Sequence, residues 1–440
     1  MSAGKNIILK TVLDVHYNGS RDSIALQHEV GEWCRNDLAK ALGEQFDRLE
    51  TPGIVVKIDS LDIDVNINDQ QNWLHAVLPE ITRQLVEKSS DAVQKQVGVQ
   101  QNLLRAFFHF LEHGTLPWWS SVQVQRELLE GLAQTNFDAN EKNEFSKLLG
   151  QAQVRERVAL LPDRSFLKLL GSTVPNVETI WRELEGNILA NESSTAVARL
   201  RKVLKASILD HFDDVDPERQ GQNIVSTFTN RAENLGRRGA NAAHNQQTNL
   251  QSLSKPNVPS PSRIDPINAG TDAVDTDGLY IGDAGLIIVA PFLTTLFVKL
   301  DLINNNTITD IDKAVSLVHY LATGSEVFGE FEVGLAKILC GVEMKTVIDT
   351  GVVLDDFCKE EANNLLQSVV EHWSILKNTS VAGLQESFLQ RNGKLVFKEH
   401  EWNLQVEQRP YDMLLQNLPW NISMIKLSWM PHLLRTEWVF

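Results

Sequence analysis

Ile7, Leu9, Leu13, Val15 and Tyr17 fall on one face of an extended segment, with Lys10 and Asp14 on the other. That period of two predicts a half-buried strand, closed by the turn pair Asn18-Gly19. From about Asp22 the period changes. Leu26, Val30, Trp33, Leu38, Leu42, Phe46 and Leu49 make an apolar helical stripe that Thr51-Pro52-Gly53 ends. Ile54, Val56 and Ile58, then Leu61, Ile63, Val65 and Ile67, predict a second strand, and a helix follows from about Gln71 to Glu87. Residues 1–90 are thus expected to form a β-α-β unit.

Residues 91–235 predict helices only. They are short, because Gly114, Pro117, Pro162, Gly171 and Pro175 break the pattern; the longest uninterrupted stretch is about 25 residues, or ~38 Å. Over 236–278, Gly, Asn, Gln, Ser, Pro and Asp dominate, and Lys255-Pro256-Asn257-Val258-Pro259-Ser260-Pro261 cannot hold a helix. This composition predicts a linker, with too little apolar surface to offset its ordering entropy. In residues 279–440, helices are expected at about 284–300, 310–323, 332–340, 356–372 and 381–391. Asn392-Gly393 should end the last in left-handed geometry. A hairpin is expected around Glu399-His400, with a third strand within 422–429. The expected class is α+β and predominantly helical: an N-terminal β-α-β unit, a helical middle, and a C-terminal helical block with a small antiparallel sheet.

Of the 440 residues, 42% are hydrophobic, enough for each block to bury a core. The formal net charge of -16 argues against nucleic acid and against an anionic membrane surface as partners. The most apolar stretch, Ala284 to Leu300, is short and broken by Pro291, so no membrane span is expected. Cys34, Cys340 and Cys358 fit neither a disulfide framework nor a zinc motif. The N-terminal segment lacks a signal-peptide apolar region, so a reducing, cytoplasmic location is expected.

The common catalytic and phosphate-binding motifs are absent from the sequence: GxGxxG, the P-loop, HExxH and GxSxG. Cys340 and His319 could pair as thiol and imidazole only if the fold joins their helices; two core residues is the plainer reading. Asp62 and Asp64 alternate with Leu61, Ile63 and Val65, which gives a solvated strand face or a cation site. No catalytic, cofactor or metal residues are assigned, and the chain is expected not to be an enzyme. The aromatic residues stand out instead. Trp118-Trp119 directly follow Gly114-Thr115-Leu116-Pro117, and Trp402, Tyr411, Trp420, Trp429 and Trp438 gather beside Pro410, Pro419 and Pro431. Core anchor and partner hot spot compete at each. Arg409-Pro410-Tyr411-Asp412 suits either an interface or a tight corner. Trp118, Trp119, Arg409, Tyr411, Trp420 and Trp429 are therefore the candidate protein-interaction residues.

Gly114-Thr115-Leu116-Pro117-Trp118-Trp119, preceded by Phe107, Phe110 and Leu111, resembles the G-x-LPWW element of the tape measure family of contractile injection systems. These are phage-tail-like particles such as the antifeeding prophage and the Photorhabdus virulence cassettes. The resemblance continues through Ala290-Pro291-Phe292-Leu293, His319-Tyr320-Leu321-Ala322-Thr323-Gly324 and His372-Trp373-Ser374-Ile375-Leu376. It extends through Val406-Glu407-Gln408-Arg409-Pro410-Tyr411-Asp412, Leu418-Pro419-Trp420 and Trp429-Met430-Pro431. It implies a structural component whose partners are inner-tube, baseplate or tube-terminator proteins and which sets or nucleates tube length. An assembly chaperone, cap or cargo-loading adaptor is the alternative. A literal ruler needs span. The linker of roughly 40 residues reaches only ~140 Å even when fully extended. The tube is then short, or the chain acts in multiple copies, or it is an assembly factor; under the ruler reading the linker is the segment that measures.

Overall fold

The computed structural model describes residues 8, 11, 13, 15–17, 22–49, 54, 55, 58, 61–66, 73–93, 97–117, 120, 137–171, 173, 174, 176–191, 194–214, 216–248, 278–376 and 379–438. The chain divides into two compact units, residues 1–106 with 119–131, and residues 107–118 with 132–440.

In the first unit, α1 (Ser23–Trp33), a π-turn over Cys34–Leu38 and α2 (Ala39–Leu49) follow without a break. Asp22 caps the start, its carboxylate accepting the Ala25 N–H at 2.9 Å. Leu38 and Leu42 pack with Ile81 and Leu85 of α3 (Trp73–Val93), and Ile58, Leu61 and Ile63 lie against that small core. β1 (Ile54–Val55) pairs antiparallel with β2 (Val97–Gly98), which leads into α4 (Val99–His113). The β-α-β unit expected over 1–90 is not found among the described residues. Ile8, Leu13 and Val15 are exposed and lie outside any strand. Residues 61–66 keep the alternation, apolar positions half-buried and polar ones exposed, yet form no ladder. Alternation makes a face; a strand also needs a hydrogen-bonding neighbour.

The second unit begins with the end of α4 and continues through α5 (Ala139–Leu149), α6 (Ala152–Leu160), α7 (Asp163–Leu170), α8 (Val177–Asn191), α9 (Ser194–Leu209) and α10 (Pro217–Thr248). A capping box between Asp138 and Glu141 starts α5. The breaks fall where expected: Gly114 adopts φ +75° just after α4, Pro162 precedes α7 and Gly171 follows it. α10 is longer than expected, at 32 residues, or about 48 Å. It runs to Thr248, into the segment expected to be linker from 236. Gly236 and Gly239 cost a helix about 1 kcal/mol each, but no proline intervenes and the Ala, Arg and Gln around them favour it. Residues 249–277 lie outside the described residues.

The same unit carries a five-stranded sheet in the order β3 (Leu279–Ile281), β6 (Gly393–Lys398), β7 (Glu401–Val406), β9 (Leu434–Glu437), β8 (Met424–Ile425). β6 and β7 form the expected hairpin, and Glu399 and His400 at φ 54° and 64° make the turn. β9 runs parallel to β7, so the sheet is mixed and not antiparallel as expected. Residues 407–433 supply the long crossover that parallel pairing needs. β4 (Ile303–Asn304) and β5 (Thr307–Ile308) make a separate small hairpin. The helix expected over 284–300 is two 3₁₀ turns, Ala284–Ile288 and Ala290–Phe292, then α11 (Leu293–Lys299), because Pro291 interrupts it. α12 (Ile311–Thr323) is capped by Asp310 and ended by Gly324 in left-handed geometry. α13 (Gly334–Leu339), α14 (Asp356–His372) and α15 (Val381–Leu384) with a π-turn over Gln385–Leu389 complete the block around one core that includes Phe297, Trp373 and Leu395. Gly393 does not adopt the expected left-handed geometry; it opens β6, where a Cβ would lie 2.6 Å from the Cβ of Ala284.

Candidate functional site

Arg157, on α6, is wholly buried between Val154 and Val158. Its Nε donates to Glu330 Oε2 at 3.1 Å, one terminal nitrogen to the Leu111 carbonyl at 2.8 Å, and the other to the Lys345 carbonyl. Lys337 of α13 approaches the same carboxylate from the other side: its Nζ lies 2.7 Å from Glu330 Oε1 and also donates to the carbonyls of Met344 and Thr346. Burial pushes the Lys337 ammonium down, against the pull of Glu330. One carboxylate thus holds two buried cations, and backbone carbonyls satisfy their remaining donors. Gly114 seals the cluster. A Cβ there would sit 2.5 Å from an Arg157 terminal nitrogen and 2.9 Å from the Met344 carbonyl, so a glycine is required on space as well as on φ. Phe110 meets Phe331 edge-to-face at 5.6 Å, and Lys202 of α9 pairs with Asp349 at 2.7 Å. These contacts join the helical middle to the C-terminal block inside one unit, two regions that composition had separated.

The C-terminal candidates form a second frame. Arg391 is fully buried and pairs with Asp412, its guanidinium lying 4.8 Å from the Tyr411 ring centroid and 5.6 Å from that of Trp438. Asp412 also accepts from Trp438 Nε1 at 2.9 Å and from the Arg409 backbone N–H at 2.8 Å. Arg409 donates to the Tyr411 hydroxyl, and that hydroxyl donates to the Ser387 carbonyl. Arg409-Pro410-Tyr411-Asp412 is therefore a tight corner. Trp420 donates to the Ile288 carbonyl at 3.0 Å and packs edge-to-face on Phe292. Trp429 donates to the Leu339 carbonyl at 2.8 Å and stacks on Phe297. All four side chains are half-buried, with their polar atoms turned inward to the frame. Trp118 and Trp119 lie outside the described residues; only the Gly114–Pro117 approach to them is seen.

His319 and Cys340 are both core residues. Burial pushes His319 down to about 4, its ring sits against Phe328 at 4.6 Å, and burial pushes the Cys340 thiol well up. Both are held uncharged, which suits packing and not nucleophile activation. Asp62 and Asp64 are exposed. Among the described residues no cluster of three or more side chains is placed to hold a metal ion, and no helix is long and apolar enough to cross a membrane. His211 bridges Asp214 at 3.1 Å and Thr227 at 2.9 Å, while Gln220 and Asn223 bond to the same turn. That lacing fastens the turn after α9 to α10. An open cleft of about 410 Å³ lies beside it, lined by Lys142, Ser146, Thr173, Phe212 and Asp213.

The composition-based reading missed Arg157, Glu330, Lys337 and the Arg391–Asp412 pair. A charged residue inside an apolar helical run, as in Gly334-Leu335-Ala336-Lys337-Ile338-Leu339, was the available signal. No curated protein and no solved structure gives a significant match to the chain. A family model described as contractile injection system tape measure protein matches residues 5–438.

Proposed function

The chain belongs to the contractile injection system tape measure protein family, and from that premise we propose that it acts as a folded, contact-making assembly component. It nucleates or terminates the inner tube through its surfaces and is not paid out as a stretched ruler. Its partners are tube, baseplate or terminator proteins, it assembles in the cytoplasm, and it performs no catalysis. The observation that supports this is the buried Arg157–Glu330–Lys337 cluster. It keeps the helical middle and the C-terminal block in one compact unit. α10 ends at Thr248 and β3 begins at Leu279, both in that unit. That both flanking elements belong to one unit supports a contact-making role over measurement by the intervening segment.

Quantitative mass spectrometry of purified particles tests the reading. A small fixed number of copies per particle, the same in short and long tubes, is expected. Copies rising in proportion to tube length would overturn it. Absence from particles, with the chain confined to the soluble fraction, would instead make it a chaperone or loading adaptor.

A further inference from the structure

Three apolar side chains of the C-terminal block stand in solvent around one carboxylate. Val327 is 87% exposed, Val353 80% and Phe357 53%. Glu326 ties together the segments that carry them: Oε1 accepts the Leu354 N–H at 2.9 Å, and Oε2 pairs with Lys359 at 2.7 Å. Val327 follows Glu326, Val353 precedes Leu354, and Phe357 lies in the first turn of α14, two residues before Lys359.

The backbone that displays them is fixed. Thr323 Oγ1 accepts the Ser325 N–H and Ser325 Oγ accepts the Val327 N–H, each at 3.1 Å. Asp355 caps α14 by accepting the Cys358 N–H at 2.8 Å. Phe328, Leu354 and Cys358, each next to one of the three in sequence, are buried in the core. Single exposed apolar residues are ordinary; three on hydrogen-bonded turns tied to one side chain make a contact surface ordered before anything binds.

The charges at its edge select the occupant. Lys359, Lys313 and Lys202 are already paired, with Glu326, Asp355 and Asp349 respectively. Asp356 and Glu360 are exposed on α14 beside Phe357 and form no ion pair among the described residues. The surface is thus apolar with uncompensated negative charge at its rim. A second copy meeting it face to face would bring the same two carboxylates, and would join two chains of net charge -16. A segment with apolar anchors flanked by Lys or Arg complements both features. We propose that Val327, Val353 and Phe357 form the docking surface for such a basic-flanked apolar segment of a partner protein. This rests on the reading of the chain as a contact-making component, and gives that contact a place and a chemistry.

Site-specific photocrosslinking in intact producing cells tests it, with a photoreactive amino acid at Val353 of the full chain. The control position is Met413, which is 63% exposed at the other end of α14, where Trp373 bonds to the Leu414 carbonyl. Val353 should crosslink to one segment of another protein, with apolar residues beside Lys or Arg, and Met413 should not. The yield at Val353 should fall about tenfold with Val327→Asp and roughly 3-fold or more with Asp356→Asn and Glu360→Gln together. All three substitutions are at exposed positions. No crosslink, a crosslink to a second copy or to residues 249–277 of the same chain, a captured segment without basic residues, equal capture from Met413, or yields unmoved by the substitutions would overturn the proposal. The two readings fail separately. Capture of a basic-flanked segment by a chain absent from particles would keep this surface and sink the assembly-component reading. A silent Val353 in a chain present at fixed copy number would do the reverse.

Discussion

Replacing Glu330 by Gln keeps the shape of the buried cluster and removes its only anion. Arg157 and Lys337, at 0% and 1% side-chain exposure, would be left as two like charges facing a neutral amide. Breaking a buried pair in this way costs about 3–5 kcal/mol. At 1.36 kcal/mol per decade that is roughly two to four orders of magnitude in a local opening equilibrium. Hydrogen exchange of the full chain reads it on two sets of peptides, residues 152–160 and residues 334–346. Both should lose protection together, because the cluster joins them. A control comes from Glu178→Gln, which breaks the exposed Arg182–Glu178 pair at 3.2 Å and should change stability by less than ~1 kcal/mol. Protection of both regions within tenfold of wild type in Glu330→Gln would refute the argument that the cluster holds the unit closed. Loss on one side alone would refute its role as the joint.

Gly114→Ala should destabilise the same joint by at least ~2 kcal/mol, from the positive φ and from the displaced Arg157, and thermal unfolding of the full chain would show it. Unchanged stability would mean the segment moves aside freely. His319→Phe should be neutral or stabilising near pH 7, since the ring is buried against Phe328 with Nδ1 unpartnered among the described residues. It should also flatten a fall in stability as pH drops from about 6.5 towards 4, because the folded state prefers the neutral imidazole. Unfolding curves at pH 7 and pH 4.5 decide it. Trp429→Phe should keep the stacking on Phe297 and lose one hydrogen bond, about 1 kcal/mol, whereas Asp412→Ala should cost about 3–5 kcal/mol by stranding Arg391. Denaturant midpoints that rank the two the other way would contradict the frame described for these residues.

The features legible in the sequence are those decided locally. Asp22, Asp310 and Asp355 each cap the helix that the apolar stripe announces, and the cap residue and stripe lie within one turn of each other. Glu399-His400 close the hairpin between strands whose alternation is plain. What stayed hidden was decided at a distance. The Arg157–Glu330 bond joins residues 173 positions apart, and nothing near Arg157 distinguishes it from a surface arginine on an amphipathic helix. β9 pairs in parallel with β7 through a crossover that periodicity does not encode. At the N-terminus the alternation through Leu13 and Val15 is clear, but those two residues are exposed and lie outside any strand, and Ile7 and Leu9 of the same expected strand lie outside the described residues. Composition also drew a boundary at residue 236 that α10 crosses. For the candidate site, the corner at Arg409–Asp412 and the inward bonds of Trp420 and Trp429 depend on which carbonyl each side chain meets. Sequence could offer only the competing readings of anchor and hot spot.

Particle length after changing the 249–277 segment tests the central claim most directly. About 20 residues would be deleted there in one strain and inserted in another, with tube lengths measured by electron microscopy. A folded assembly component whose segment begins and ends in one unit predicts unchanged tube length in both strains, with particles still forming. Matched shortening and lengthening, by roughly 30 Å if the segment is helical and up to ~70 Å if extended, would contradict it and establish the segment as a ruler.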